Sequence, residues 1–219
     1  TGSTGDGYRF AEEAGHTVTS LSPSLVAIIL KEKNVRQLEG LSLKNVNLSV
    51  TTVVEKKGKM VGKQLYNGFG EMLFTAEGIS GPLCLSASSE LASGFSDGTM
   101  AEIDLKPALS MEQLEQRVLH DFKENINRQF RNSLGALLPS RMAEYIVEAS
   151  GIDPYVQVNQ VTQQERRCLC ELIKHLRFHV EKLGGYREAV ITRGGVNVKE
   201  INPMTMESRL VSGLYFAGE

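Results

Sequence analysis

The sequence has no tryptophan, only three cysteines and six prolines, and just 6% aromatic residues. Three thiols cannot all pair with one another. Cys168 and Cys170 lie two apart in a helical pattern and so point to different faces. A disulfide framework or a zinc site needs more Cys or His close by, so reduced thiols in a cytoplasmic protein are expected. His16, His120, His175 and His179 show no metal-ligand spacing, with a helix ending between the last two, and no metal is expected. No apolar run reaches about 18 residues, which excludes a membrane-spanning helix, and no signal peptide is visible. The longest apolar stretch, "LVAIIL" (Leu25 to Leu30), suits a buried strand.

Excess positive charge is also missing. Lys and Arg number 24 against 26 Asp and Glu, a net charge of -2. Between Lys106 and Lys182, eleven Lys/Arg face ten Asp/Glu. Bulk charge of this kind does not attract a polyanion, and few aromatics are present to stack on bases. The sequence therefore predicts no nucleic-acid partner and no membrane partner. It holds no Walker A loop, no G-x-G-x-x-G after a strand and no G-x-S-x-G nucleophile elbow. The carboxylates are scattered along helix faces, which disfavours a glycosidase pair.

What is present is a core. The chain has 219 residues and is 41% hydrophobic. "YRFAEEAGH" reads as a short helix, with Asp6 placed to cap its start and Gly15 to stop it. From 18 to 105 the signals are strand and turn. In "LSLKNVNLSV" apolar residues alternate with polar ones, with one slip near Asn45 that predicts a bulge. "EKKGKM" reads as a hairpin turn carrying Gly58. From 106 to 180 the period becomes helical. Ser110 with Gln113 and Thr162 with Glu165 form capping boxes, and Pro139 opens a helix that Gly151 ends. From 181 to 205 the strand pattern returns. The fold class predicted is α+β, a small β-barrel interrupted by a three-helix bundle.

Three stretches are candidates for chemistry. "TGSTGDG" taken alone reads as a flexible end, with an anion nest as the alternative. "ITRGGV" places two glycines after β-branched residues, which offers backbone N–H groups to a ligand or makes an ordinary hairpin. "LYFAGE" reads as a buried strand, Leu214 to Ala217, ending at Gly218 with a carboxylate at Glu219. This suits polyol binding, or a plain strand and turn. No residue presents itself as a catalytic acid, base or nucleophile.

Taken together, "TGSTGDGYRFAEEAGH", "GEMLFTAEGISGP" and "ITRGGVNVKEINPMTMESRLVSGLYFAGE" resemble one family over nearly the whole chain. It is the flavoprotein family of NAD(P)/FAD-dependent oxidoreductases that includes aminoacetone oxidase-like and bile-acid-reductase-like members. The resemblance implies a Rossmann-like FAD domain built from both ends of a longer chain, a barrel inserted into it, and helices inserted into the barrel. On that plan 1–17 and 206–219 are stubs of the FAD domain. Thr1, Gly2, Ser3, Thr4, Gly5 and Asp6 match a flavin-proximal loop. Thr192, Gly194 and Gly195 match a turn approaching the isoalloxazine ring, and Gly218 and Glu219 match the end that binds the ribityl chain. The parent would use FAD and NAD(P)H on a small-molecule substrate, and the chain alone would be inactive and hold no cofactor. A self-standing barrel and helical module that binds RNA or a protein is the alternative.

Overall fold

The computed structural model describes residues 4–56 and 58–218. In chain order it holds helix α1 (Asp6–Glu13) and strands β1 (Ser22–Ser24), β2 (Ile28–Leu30), β3 (Ser42–Lys56), β4 (Lys59–Phe74) and β5 (Gly78–Ser80). Helix α2 (Pro82–Leu91) and strand β6 (Met100–Asp104) follow. Helices α3 (Met111–Glu124), α4 (Ser140–Ala149) and α5 (Gln163–Lys174) lead to strands β7 (Leu176–Leu183) and β8 (Ile191–Arg193). Two compact units result. A barrel unit is Ala27–Leu183, and an end-segment unit combines Thr1–Val26 with Gly184–Glu219.

In the barrel unit six antiparallel strands close in the order β2-β5-β4-β3-β6-β7. β3 is rich in Val and Thr, which suit a pleated, half-buried surface. It buries Val46, Leu48, Val50 and Thr52 at alternate positions. At Asn45 the expected bulge appears. The backbone is left-handed there (φ 56°), and the register with β4 shifts between Leu43 and Val46. β5 meets β2 at unusually close range. A Cβ on Gly78 would sit 2.0 Å from the Ile28 carbonyl oxygen, so only glycine allows the approach.

The helices pack onto the same core. Ser110 Oγ accepts from the Gln113 N–H at 3.2 Å, and Gln113 Oε1 accepts from the Ser110 N–H at 2.9 Å. Thr162 and Glu165 repeat the arrangement at the start of α5. Each closes two otherwise orphaned backbone donors. The Phe178 ring of β7 lies 6.1 Å from Phe74 of β4 and 6.3 Å from Tyr145 of α4. One contiguous set of buried residues therefore serves barrel and helices together. Cys84 and Cys170 are part of it, and burial pushes their thiols up to about 12 and about 11.

The element boundaries depart from the sequence-based ones in four places. "PLCLSASSEL" is helix α2, not strand. The closing strand β7 starts at Leu176, inside the stretch assigned to helices. α5 ends at Lys174, and Leu176, Phe178 and Val180 then alternate inward. Residues 18–26 and 184–205 fall in the end-segment unit, where β1 pairs with β8 (Pro23 opposite Thr192). "LVAIIL" is strand only from Ile28, because Leu25 takes a left-handed conformation (φ 52°). No helix among the described residues is long and apolar enough to cross a membrane.

Candidate functional site

The end-segment unit carries the described part of the sequence-marked residues. Thr1, Gly2, Ser3 and Glu219 lie outside the described residues. α1 begins after Gly5, whose left-handed backbone (φ 80°) takes the cap position without a side-chain cap. Asp6, expected to be the cap, is instead the first helical residue, where a carboxylate suits the helix dipole. Its Oδ2 accepts from the Thr4 hydroxyl, and Arg9 lies 3.4 Å away. The helix stops at Gly15 (φ 88°), as expected.

The structure brings the first loop and the "ITRGGV" turn onto one ring. A Cβ on Gly5 would lie 3.6 Å from Tyr8 Cδ2, and one on Gly195 would lie 3.5 Å from Tyr8 Cε1. Both glycines therefore flank the same aromatic side chain. The turn is not open in the way expected, however. The Gly195 N–H donates to Thr19 Oγ1 at 3.0 Å, and the Thr19 N–H donates back to the Gly195 carbonyl at 2.8 Å. Gly194 is demanded by packing, since a Cβ there would lie 2.2 Å from the Ser20 carbonyl oxygen. Thr192 sits on β8, opposite Pro23.

"GLYFAGE" also differs from expectation. Leu214 to Ala217 do not form a buried strand. Tyr215 is 60% exposed, and its pairing is a single bridge to Glu207. Gly218 is exposed, with no heavy atom of the described residues beyond its chain neighbours within 4 Å of a Cβ position.

A polar node that the sequence reading passed over lies in the same unit. His16 is buried, with Nε2 2.8 Å from Ser208 Oγ and Nδ1 3.1 Å from Glu200 Oε2. Ser208 Oγ already accepts from the N–H groups of Leu210 (3.0 Å) and Val211 (2.8 Å). Its own O–H is thus left to donate to Nε2, which leaves the Nδ1–H to donate to Glu200. The Thr17 N–H, at 2.9 Å, and then His16 hold the Glu200 carboxyl below the usual carboxylate range. Phe216 packs edge-on against the imidazole at 4.8 Å. With both Ser208 lone pairs occupied and its proton committed, this Ser–His–Glu chain presents no nucleophile. It ties the end of α1 to the 200–216 segment. A lone histidine carries no sequence signal of partners 184 and 192 residues away.

Among the described residues no group of three or more His, Cys, Asp or Glu is placed to hold a metal ion. An open cavity of about 570 Å³ lies among the helices of the barrel unit, lined by Arg131, Val147, Ile152 and Pro154 and flanked by Glu144, Glu148 and Asp153.

The chain is 31% identical over 215 residues to a ribosomal RNA dihydrouridine synthase of Escherichia coli (strain K12), covering 97% of this chain and 49% of that protein. It is 34% identical over 219 residues to the protein of the same name from Haemophilus influenzae, covering 100% and 50%. It is 26% identical over 221 residues to the 3-dehydro-bile acid delta(4,6)-reductase of Clostridium scindens, covering 100% and 52%. The chain thus spans about half the length of the curated relatives it matches. Two of these relatives act on RNA, which overturns the expectation of no nucleic-acid partner. That expectation rested on net charge, on the near-neutral stretch from Lys106 to Lys182 and on the few aromatics, none of which weighs charge elsewhere in the chain. Residues 22–191 match the HI0933-like protein barrel and H2TH domain, and the chain belongs to that family.

Proposed function

We propose that this chain is the substrate-side part of a longer flavin-dependent reductase. Its reaction is the addition of two hydrogens across a carbon–carbon double bond conjugated to a carbonyl. The observation that carries this reading is the chemistry shared by relatives that align over nearly the whole chain. Forming dihydrouridine saturates the uracil double bond beside a ring carbonyl. Reducing a 3-dehydro bile acid at its delta(4,6) positions saturates double bonds conjugated to a ketone. RNA uridine is the favoured substrate, because the two relatives above 30% identity carry that name.

The described residues fit the ring and ribityl side of FAD. Thr4 and Thr192 supply hydroxyls, Asp6 a carboxylate, and Gly5, Gly195 and Gly218 backbone without side chains. None of them is cationic, and α1 opens on an acid, so they do not suit the diphosphate. When bound, the flavin supplies the hydride chemistry. The residues of this chain position it. Tyr8 separates the two glycine turns, Thr19 locks the second turn, and the His16–Glu200–Ser208 tie holds the α1 end in place. Thr1, Gly2, Ser3 and Glu219 complete the proposed set.

The test uses the full-length protein. Its visible spectrum reports flavin, and mass spectrometry of ribosomal RNA incubated with it and NAD(P)H reports the gain of two hydrogens on uridine. Glu219→Ala is expected to lower bound flavin, and undiminished flavin content would sink that assignment. The 219-residue chain alone is expected to leave FAD fluorescence unchanged on titration, because the diphosphate site lies elsewhere in the parent.

A further inference from the structure

β3 and β4 outrun the barrel. The last pairing of β3 with β6 is Thr51 opposite Met100. Beyond it, β3 and β4 continue as a two-stranded ribbon. Thr52 faces Lys63, Val53 faces Gly62, Val54 faces Val61, Glu55 faces Met60 and Lys56 faces Lys59. Thr52 is still buried, so the four pairs beyond it, at about 3.3 Å each, make an arm of roughly 13 Å. Lys59 through Gln64 are all exposed, with Met60 69% exposed.

The arm is locally basic. Residues 55–63 read "EKKGKMVGK", with four lysines against one acid, whereas the helical stretch is near neutral. Because the side-chain period of a strand is two, the pairs 52/63, 54/61 and 56/59 share one face. Lys56, Lys59 and Lys63 therefore project from the same side, and Glu55 with Met60 from the other. Several lysines elsewhere find partners. Lys44 is 3.9 Å from Glu71, Lys31 is 2.6 Å from Asp97 and Lys174 is 2.6 Å from Asp104. Lys56, Lys59 and Lys63 form no ion pair among the described residues. Lys56 directly opposite Lys59 is a repulsive arrangement, which an external anion relieves.

Edge lysines also guard exposed strands against pairing with another chain. That role is served by charges along β4 on either face. It does not call for lysines from both strands gathered on one face and segregated from the acid. We propose that the tip of the β3–β4 ribbon is an RNA-binding arm, in which Lys56, Lys59 and Lys63 contact backbone phosphates of the substrate RNA. This rests on the reading that the parent protein acts on RNA. The contacts are electrostatic and indifferent to sequence, so they govern affinity and not the choice of uridine.

The experiment is fluorescence anisotropy of the full-length protein on labelled, protein-free fragments of ribosomal RNA, across a salt series. The variants are Lys56→Gln/Lys59→Gln/Lys63→Gln and a control with the exposed Lys33, Lys123 and Lys182 changed to Gln. Loss of three phosphate contacts lowers the log–log salt slope by roughly 2 to 3. The arm is supported when the ribbon variant loses that slope, keeps its flavin and melts no earlier, while the control binds like the unsubstituted protein. It is overturned when the ribbon variant binds unchanged, or when ribbon and control variants lose slope equally. An unsubstituted protein that binds no RNA removes the RNA substrate itself, and the arm with it.

Discussion

Phe178 of the barrel unit is 1% exposed and lies against the rings of Phe74 and Tyr145, whereas Val198 and Met204 of the end-segment unit are 80% and 93% exposed. The barrel unit has a contiguous apolar core reaching from Ile28 to Val180. The end-segment unit is tied by specific hydrogen bonds: Thr19 to Gly195, Thr17 to Glu200, and His16 to Glu200 and Ser208. Burial of apolar area is forgiving in direction and additive, while a hydrogen-bond tie depends on each partner. The contrast shows which part of the chain holds itself together by bulk and which by geometry. The glycine turns proposed to face the flavin belong to the second kind.

The largest expected effect is in the core. Phe178→Ala should cost about 3–5 kcal/mol in urea unfolding of this chain, through lost burial and the cavity left behind. Val198→Ser should stay within about 0.5 kcal/mol. Equal costs at the two sites would erase the distinction. Next come the two glycines set against backbone carbonyls. Gly78→Ala and Gly194→Ala should each destabilise by about 1–3 kcal/mol, since a Cβ at either forces the backbone to move. They should differ in reach. Hydrogen exchange should show Gly78→Ala loosening the amides of Ala27–Leu183 as a whole. Gly194→Ala should loosen residues 17–23 and 191–197 only. Exchange spreading through the barrel in the second variant would mean that the units unfold as one.

Thr162→Ala should cost about 1 kcal/mol by removing the cap of α5, read as a lower thermal midpoint. The smallest effect is acid loss, and each unit has its own carboxylate for it. In both cases a threonine holds the carboxyl low. For Glu165 it is the Thr162 hydroxyl and then its backbone N–H. For Glu200 it is the Thr17 N–H, followed by His16. With a folded value below the unfolded one of 4.5, the unfolded state takes up the proton first as pH falls. The stabilisation is therefore complete above about pH 4.5 and fades as pH drops through the folded value. Glu165→Gln should abolish this acid loss in the α5 amides alone and Glu200→Gln in the Thr17 region alone, as followed by exchange between pH 6 and 3. Acid curves unaltered by both substitutions would show that other carboxylates dominate.

The parts of the fold that were legible in the sequence are the local ones. The capping boxes at Ser110 and Thr162 need only residues three apart, and the bulge at Asn45 shows as a slip in the alternation. Helix α2 does not stand out in the sequence, although Gly81–Pro82 is a start signal. Its buried face includes Cys84, Ala87 and Ser88, too small and too weakly apolar to stand out as a stripe. "LYFAGE" reads as a buried strand from its apolar letters, but burial needs a covering surface, and Tyr215 has little among the described residues. The exclusion of nucleic acid failed because net charge discards position. The lysines of "EKKGKMVGK" already lie together in the sequence, but the stretch reads there only as a hairpin turn, and it takes the register to put Lys56, Lys59 and Lys63 on one face.

The sequence by itself determined the capped starts of α3 and α5, the alternation of β3, the turn at Gly58, and that a barrel with helices is the outcome. These follow from short-range sterics, hydrogen-bond spacing and the periods of two and 3.6 residues. The tertiary structure alone decided that β2 closes on β7, that Tyr8 stands between Gly5 and Gly195, and that His16 meets Glu200 and Ser208. Such contacts join residues far apart in the chain. Their existence depends on which surfaces pack and in what register, a choice made by the free energy of the whole core and recorded in no single stretch of residues.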